Sequence, residues 1–441
     1  MKMMTVKILL PLLVLMTIPS WAQQAVPAKV FTLQQCLEMA LGKSPELAKA
    51  QSAKTIGSAS LQSSASNLLP KISATSSYTQ SGPATSLGRD ALGNTVLSQG
   101  GHYNNYRTSL NASQSLINLS QWAGFKGAVN DYQSATAAYQ QSIAALSYRV
   151  KEAYFNLLKL MKALEVARSS VEQSREQAAK ARLMHQLGSL SRSDLLKIEV
   201  RLAQNRVALL EAQKALSVGR QALRSLINYE GDFEIDPQIA RPDSSEAALD
   251  RDSLLALALA SNPGYRAALK RYQAARDYLW SAWLSKLPSL NAAYSYGYSD
   301  SIQFRDSRTW NQHDSWSFSL SLNWNIFDGT ATEAQIRRAR AQAASAEAEL
   351  ILARQNLISQ VEQIYIEWQA AREELSLVDD LRQQADEDFR LTTEKYRLGA
   401  ASTLDLLTSQ VNYNQSQQEA INALCSYHLA RAKVDQLLGR P

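Results

Sequence analysis

Cysteine is nearly missing from this chain of 441 residues, with only Cys36 and Cys425 present. A disulfide-stapled fold is therefore excluded; spacing alone decides neither pairing nor its absence, and buried free thiols are the plainer expectation. Glycine (17) and proline (11) are scarce too, so tracts rich in Ala, Gln, Leu, Ser, Arg and Glu run without breakers and read as long helices. Histidine is thin: His102, His185, His313 and His428 stand alone, without a second ligand at metal spacing, and read as structural or exposed. Nucleophile elbows, phosphate loops and CxxC pairs are missing, which leaves no enzyme chemistry and no cofactor to expect. The formal charge of +6 falls to about +4 once Lys2 and Lys7 are discounted with a leader, too small and too evenly spread for nucleic acid. The carboxylates mostly alternate with Arg and Lys along helices, as solvated faces do.

Long apolar runs are also lacking. The one candidate, Ile8–Ile18, follows Lys2 and Lys7 and precedes Ser20-Trp21-Ala22. It is too short to span a bilayer and reads as a secretory signal over 1–22, with the mature chain starting at Gln23. An exported, helix-rich chain without a transmembrane helix is either soluble or inserted by strands.

What is present is a duplication. Gly188-Ser189-Leu190-Ser191-Arg192-Ser193-Asp194 returns as Gly399-Ala400-Ala401-Ser402-Thr403-Leu404-Asp405, 211 residues later. Gly188 and Gly399 can end a helix in the left-handed conformation, while Ser191 and Ser402, each followed by Asp three residues on, can cap the next. Each copy reads as the turn of a helical hairpin. Around it the chain divides into a first repeat (23–228), a connecting segment with Pro237, Pro242 and several acids (229–250), and a second repeat (251–441).

Each repeat opens with a short helix and a longer one. Thr32 and Gln35 form a capping pair and Ser44-Pro45 marks the break; Asn262-Pro263 breaks the second copy, and Pro70 and Pro288 end both. Beyond each proline the period changes to two. Trp316, Phe318, Leu320, Leu322, Trp324 and Ile326 alternate with Ser and Asn, as do Leu290, Ala292, Tyr294, Tyr296 and Tyr298. Ile72, Ala74, Ser76 and Tyr78, and Tyr106, Leu110, Ala112 and Leu116, keep the phase in the first copy. This gives two strands at about 71–117 and two at about 289–326, joined by polar loops at 81–102 and 299–312.

A soluble sandwich would alternate as well. Small Ser and Asn partners and an aromatic apolar face (Tyr294, Tyr296, Tyr298, Trp316, Phe318, Trp324) favour membrane-facing strands of an outer-membrane barrel. Four strands cannot close, and an open edge cannot face lipid, so the barrel would be shared between chains. Trp122, Trp280 and Trp283 lie near the strand–helix junctions, as interface anchors or core.

Helical hairpins follow at about 120–228 and 330–438. Apolar or small residues recur in steps of three and four from Val129 to Val171 and from Ile336 to Val378, a heptad seam. A helix of roughly 68 residues is about 100 Å long, and its returning partner plus the earlier 24-residue helix together cover about 93 Å. Two shorter helices stacked end to end therefore match one long one.

The order helix, two strands, long helix, glycine turn, shorter helix, given twice, resembles the outer-membrane efflux protein (TolC) family over nearly the whole mature chain. Tyr396 to Leu407 looks like that family's periplasmic tip motif, and Arg182 to Leu196 like its first copy. The resemblance implies a mainly α fold with a small β part: duplicated long-helix hairpins forming a homotrimeric α-helical barrel, plus a shared twelve-stranded transmembrane β-barrel in outer-membrane lipid. It implies an exit duct for tripartite drug efflux or for type I protein secretion, partnered by a periplasmic adaptor and an inner-membrane pump, with no nucleic acid. It also implies a tip closed by Tyr396 on Asp194, with Asp405 at the constriction. Ala401 stands where the family's helping arginine would be, leaving Arg192 or Arg397 as substitutes, and Thr408 replaces a second acid. Helix capping explains Asp194 and Asp405 equally well. A soluble periplasmic coiled-coil scaffold is the alternative from another class.

Overall fold

In a computed structural model, residues 29–82, 85–89, 92–93, 95–99, 103–238, 250–301 and 307–441 are described. The expected signal (1–22), His102, and Pro242 with its acidic neighbours lie outside them.

The chain enters at a three-residue strand, β1 (Lys29–Phe31). At Thr32 the hydroxyl accepts from Gln35 N while Thr32 N donates to Gln35 Oε1, the reciprocal cap that starts α1 (Leu33–Lys43). Ser44 caps α2 (Pro45–Ser66), and Pro45 takes the first helical position, where a missing N–H costs nothing. Then come β2 (Lys71–Ser81), the short β3 (Thr85–Arg89) and β4 (Thr95–Gln99), β5 (Tyr103–Ile117), the 68-residue α3 (Leu119–Gln186), and α4 (Arg192–Ile227). After β6 (Phe233–Ile235) the pattern returns as α5 (Arg251–Ser261), α6 (Pro263–Leu284), β7 (Ser289–Asp300), the small α7 (Ser307–His313), β8 (Asp314–Asn323), the 67-residue α8 (Ala331–Arg397), and α9 (Thr403–Leu437).

Some elements lie where the sequence suggests only loops or connections. β3 and β4 form a hairpin inside the expected 81–102 loop, and α7 occupies part of 299–312. β1 and β6 pair in parallel, Phe31 opposite Ile235. Three residues are too few to display a period, and only pairing across the chain makes them strands.

The main sheet runs β2-β5-β7-β8, antiparallel throughout. Ile72 pairs with Ala112, Ala112 with Tyr294, and Tyr294 with Phe318. The apolar residues of all four strands therefore share one face and Ser and Asn the other. Leu116 drops out of this ladder: the register slips between Ser115 and Ile117, and Ile117 takes the place opposite Leu290.

In the helical part, α3 lies against α2 and α6 near the sheet and against α4 and α9 farther away. With neighbours on two sides it buries two stripes. Leu146, Val150, Leu157 and Leu164 are the expected seam, and Ala137, Ala144, Tyr154 and Leu158 form another. α8 meets α5, α6 and α9, and its buried set (Ile336, Ala339, Ala343, Ala346, Leu357, Val361, Trp368, Ala371, Val378) coincides with the seam expected from the sequence.

The core sits midway along the helices, once per repeat. Leu146, Val150, Leu223 and Ile227 of the first cluster become Leu357, Val361, Val434 and Leu438 of the second, 211 residues on. Cys36 and Ala40 become Leu254 and Ala258. Cys425 joins the first cluster, and both thiols are free, fully buried and pushed up to about 11 by that burial.

The hairpin turns are near copies. Gly188 (φ +76°) and Gly399 (φ +75°) are left-handed; Ser189 N donates to Met184 O at 2.9 Å and Ala400 N to Lys395 O at 2.8 Å, satisfying last-turn carbonyls.

Two outcomes follow. Since the thiolate is the reactive form, Cys36 and Cys425 should resist a thiol reagent at about pH 8 in the native protein and both react in denaturant. Gly399→Ala should loosen its tip by about 1–2 kcal/mol, read as faster amide exchange at the end of that hairpin; nothing crowds the position, so the whole effect is backbone strain.

Candidate functional site: a bare sheet face and two hairpin tips

The apolar face of the sheet is open. Trp316 is 71% exposed and Leu322 68%, and Tyr294 and Phe318 are exposed with them. Two hydroxyls interrupt this face, Ser76 and Thr108, and they bond each other at 2.9 Å, so neither is left unpaired in an apolar setting. The opposite face is a hydroxyl and amide wall: Thr75 bonds Ser109 at 3.0 Å, and Ser295 donates to Asn111 at 2.7 Å.

Three of the expected lipid-facing aromatics are placed otherwise. Tyr298 is only 1% exposed, because Trp310 of α7 stacks on it at 5.8 Å and His313 meets it edge-on. Trp310 Nε1 also donates to the Tyr296 hydroxyl at 2.9 Å, leaving Tyr296 half-buried. Trp324 lies just past the end of β8, at the strand–helix junction, where its indole donates to Lys286 O at 3.1 Å. Ile326 and Phe327 are exposed beside it.

At the tips each aspartate stands in the first turn of its helix and bonds the capping serine. Asp194 takes Lys197 Nζ at 3.0 Å and the Ser191 hydroxyl at 2.8 Å, and these bonds, Lys197 first, hold its carboxyl below the usual range. Asp405 accepts from the Ser402 hydroxyl at 2.7 Å and Ser402 N at 3.0 Å, with the same direction of shift. A carboxylate in the first turn also meets the positive end of the helix dipole.

Asp194 thus bonds within its own hairpin and not to Tyr396. Tyr396 lines a cleft of about 450 Å³ between the two hairpins, with Ala181, Met184, Ile198, Phe389 and Leu406. Arg397 pairs with Glu394 on its own helix at 3.0 Å, and Arg192 is exposed at the start of α4. A link that the tip motif does not reveal joins the hairpins instead: Gln410, 1% exposed, donates to Gln173 at 2.9 Å. Its signal in the sequence is a polar residue one turn after Leu406, where the stripe calls for an apolar one.

The other histidines have local roles. His185 Nδ1 donates to Leu190 O at 2.9 Å within its turn, His313 pairs with Asp300, and His428 stacks on Phe155. Among the described residues no three His, Cys, Asp or Glu side chains converge to hold a metal, and no helix is long and apolar enough to cross a membrane.

Comparison with known proteins agrees with this layout. The chain is similar to the alkaline protease secretion protein AprF of Pseudomonas aeruginosa, 28% identical over 42% of this chain but only 39% of that protein. It is 21% identical to the outer membrane protein TolC of Escherichia coli across 98% of this chain and 86% of TolC. The crystal structure of the outer membrane protein VceC from Vibrio cholerae superposes with a TM-score of 0.76 at 18% identity, covering 92% of this chain and 96% of VceC. The family model for outer membrane efflux proteins matches residues 36–229 and 254–440, the bulk of both repeats. The chain belongs to the outer membrane efflux protein family.

Proposed function

We propose that this protein is a passive, homotrimeric exit duct in the outer membrane, carrying small toxic compounds out through a twelve-stranded barrel and a periplasmic helical tube. The observation that carries the proposal is a four-stranded sheet with a bare apolar face and two unpaired edges, β2 and β8. In hydrocarbon each unpaired backbone group costs several kcal/mol, so the edges demand copies of the chain. A soluble scaffold would leave the same face in water.

The helices support closure in the same direction. Exposed on α8 are Leu352, Ile366, Leu377, Leu381 and Leu391, which at 100° per residue fall roughly opposite its buried stripe. On α4, Leu196, Val200, Val207, Leu210 and Val218 are exposed at near-heptad spacing. Seating α4 of one copy on α8 of the next is a head-to-tail contact, which gives a ring when its rotation closes.

An adaptor and an inner-membrane pump would supply the energy. The inter-hairpin cleft around Tyr396, the Gln173–Gln410 bond and the two caps are the parts that would rearrange on opening, with Arg192 and Arg397 near the mouth. AprF is named for protease secretion, which favours type I protein secretion as the second reading. Deleting the gene separates the two: sensitisation to a panel of toxic compounds supports efflux, whereas unchanged sensitivity with a protein lost from the medium supports secretion.

Assembly is directly measurable. Detergent-extracted outer membrane should yield a trimer by light scattering, and Leu210→Asp with Ile366→Asp should drive it to monomer. The caps give an electrical outcome: Asp405→Asn should lower the cation-to-anion permeability ratio in planar bilayers about two- to threefold. Because hydrogen bonding to Ser402 lowers the Asp405 pKa, charge and cap are both intact above the ordinary aspartate range. Both should fade only as pH falls through the depressed value, so cation preference should survive mild acid.

A further inference from the structure

The four strands carry few charges, and their faces sort them by sign. Lys71, Arg107, Asp300 and Asp314 are the charged residues of β2, β5, β7 and β8. Asp300 pairs with Tyr106 and Asp314 with Tyr298, on the aromatic face, where Asp300 also meets His313 at 2.8 Å. Lys71 pairs with Ser113, and Arg107 with Ser77 and Ser299, so both cations stand on the hydroxyl and amide face. Both are exposed, and Lys71 Nζ donates only to a neutral partner, Asn67 Oδ1, at 3.2 Å.

We infer that the barrel lumen is an anion-attracting passage, with Arg107 and Lys71 as its selectivity residues and anionic or zwitterionic solutes as the favoured class of cargo. The inference rests on the duct proposed above, which makes the hydroxyl face the lumen. In a trimer each residue occurs three times, giving two cationic rings about six strand positions apart, or about 20 Å along the strand. No acid of these four strands shares that face, and the wall behind the rings is low in dielectric, which focuses their field into the water. Rings of Arg or Lys are how pores select anions, as rings of Asp or Glu select cations. The duct would then change preference along its length: cations favoured at the aspartate-capped tip, anions at the exit.

The test is the zero-current potential of purified full-length protein in planar bilayers under a KCl gradient, in an Asp194→Asn, Asp405→Asn background that removes the tip carboxylates. The background protein should prefer chloride. Adding Lys71→Gln and Arg107→Gln should lower the chloride-to-potassium permeability ratio about two- to threefold, whereas Lys71→Arg and Arg107→Lys should keep it. Inorganic triphosphate added from the extracellular side should block the background current and spare the Gln variant. A ratio and a block both unmoved by the Gln substitutions would overturn the inference while leaving the duct intact. Finding no conductance in any variant would overturn the duct, and the inference with it.

Discussion

A peptide group in hydrocarbon has no water to fall back on, and this constraint governs the rest of the molecule. The sheet β2-β5-β7-β8 satisfies its inner strands by pairing and leaves the outward side of β2 and β8 without partners. A sheet that ends this way is stable in a bilayer only when its edges find partners, as β8 of one copy and β2 of the next would in the proposed ring. The helices are tied to the strands by short connections, α3 starting at Leu119 after Ile117 and α8 at Ala331 after Asn323. In the proposed ring, closing the strands would bring the helices round with them, and the second apolar stripe of α8 is where the next copy would dock.

Much of this is legible in the amino-acid sequence, for local physical reasons. Caps announce themselves: Thr32 with Gln35, Ser44-Pro45, Asn262-Pro263, and the two glycine turns all fall at real helix ends. The stripe on α8 shows in the sequence because the neighbours that α8 has within the chain require only one. On α3 the second stripe is hidden, because helices on both sides make nearly every turn partly apolar and blur the period. The slip at Ser115–Ile117 is hidden for a different reason, since a bulge changes register without changing composition. Tyr298 shows the limit of alternation, which tells which face a residue is on but not whether a loop helix lies over that face.

The tips are legible as turns but less so in the bonds that their side chains make. Asp405 shares a reciprocal cap with Ser402, and Asp194 bonds Ser191 and Lys197 at the start of the same helix, so local helix-end bonds account for both carboxylates. The repeats have also diverged where function would act: His185 stands at the position equivalent to Tyr396, and the buried Gln410 answers to Glu199, which instead pairs with Arg182 at 2.9 Å. The first tip thus carries an ion pair across its own hairpin, while the second places a ring in the inter-hairpin cleft and a buried amide against the other hairpin.

The sizes of the buried residues along the long helices carry a consequence for shape. On α3 the sequence of buried positions runs from Gly127, Ala128, Ala137 and Ala144, through Leu146, Val150, Leu157 and Leu158, to Ser170, Ser174, Ala178 and Ala181; α8 runs from Ile336, Ala339, Ala343 and Ala346 through Leu357, Val361 and Trp368 to Ala385. Helix axes lie about 8–10 Å apart according to what separates them. In the proposed duct, mostly small residues toward both ends and bulkier ones between would let neighbouring helices draw together below the strands and again at the tips, and hold them apart at the waist.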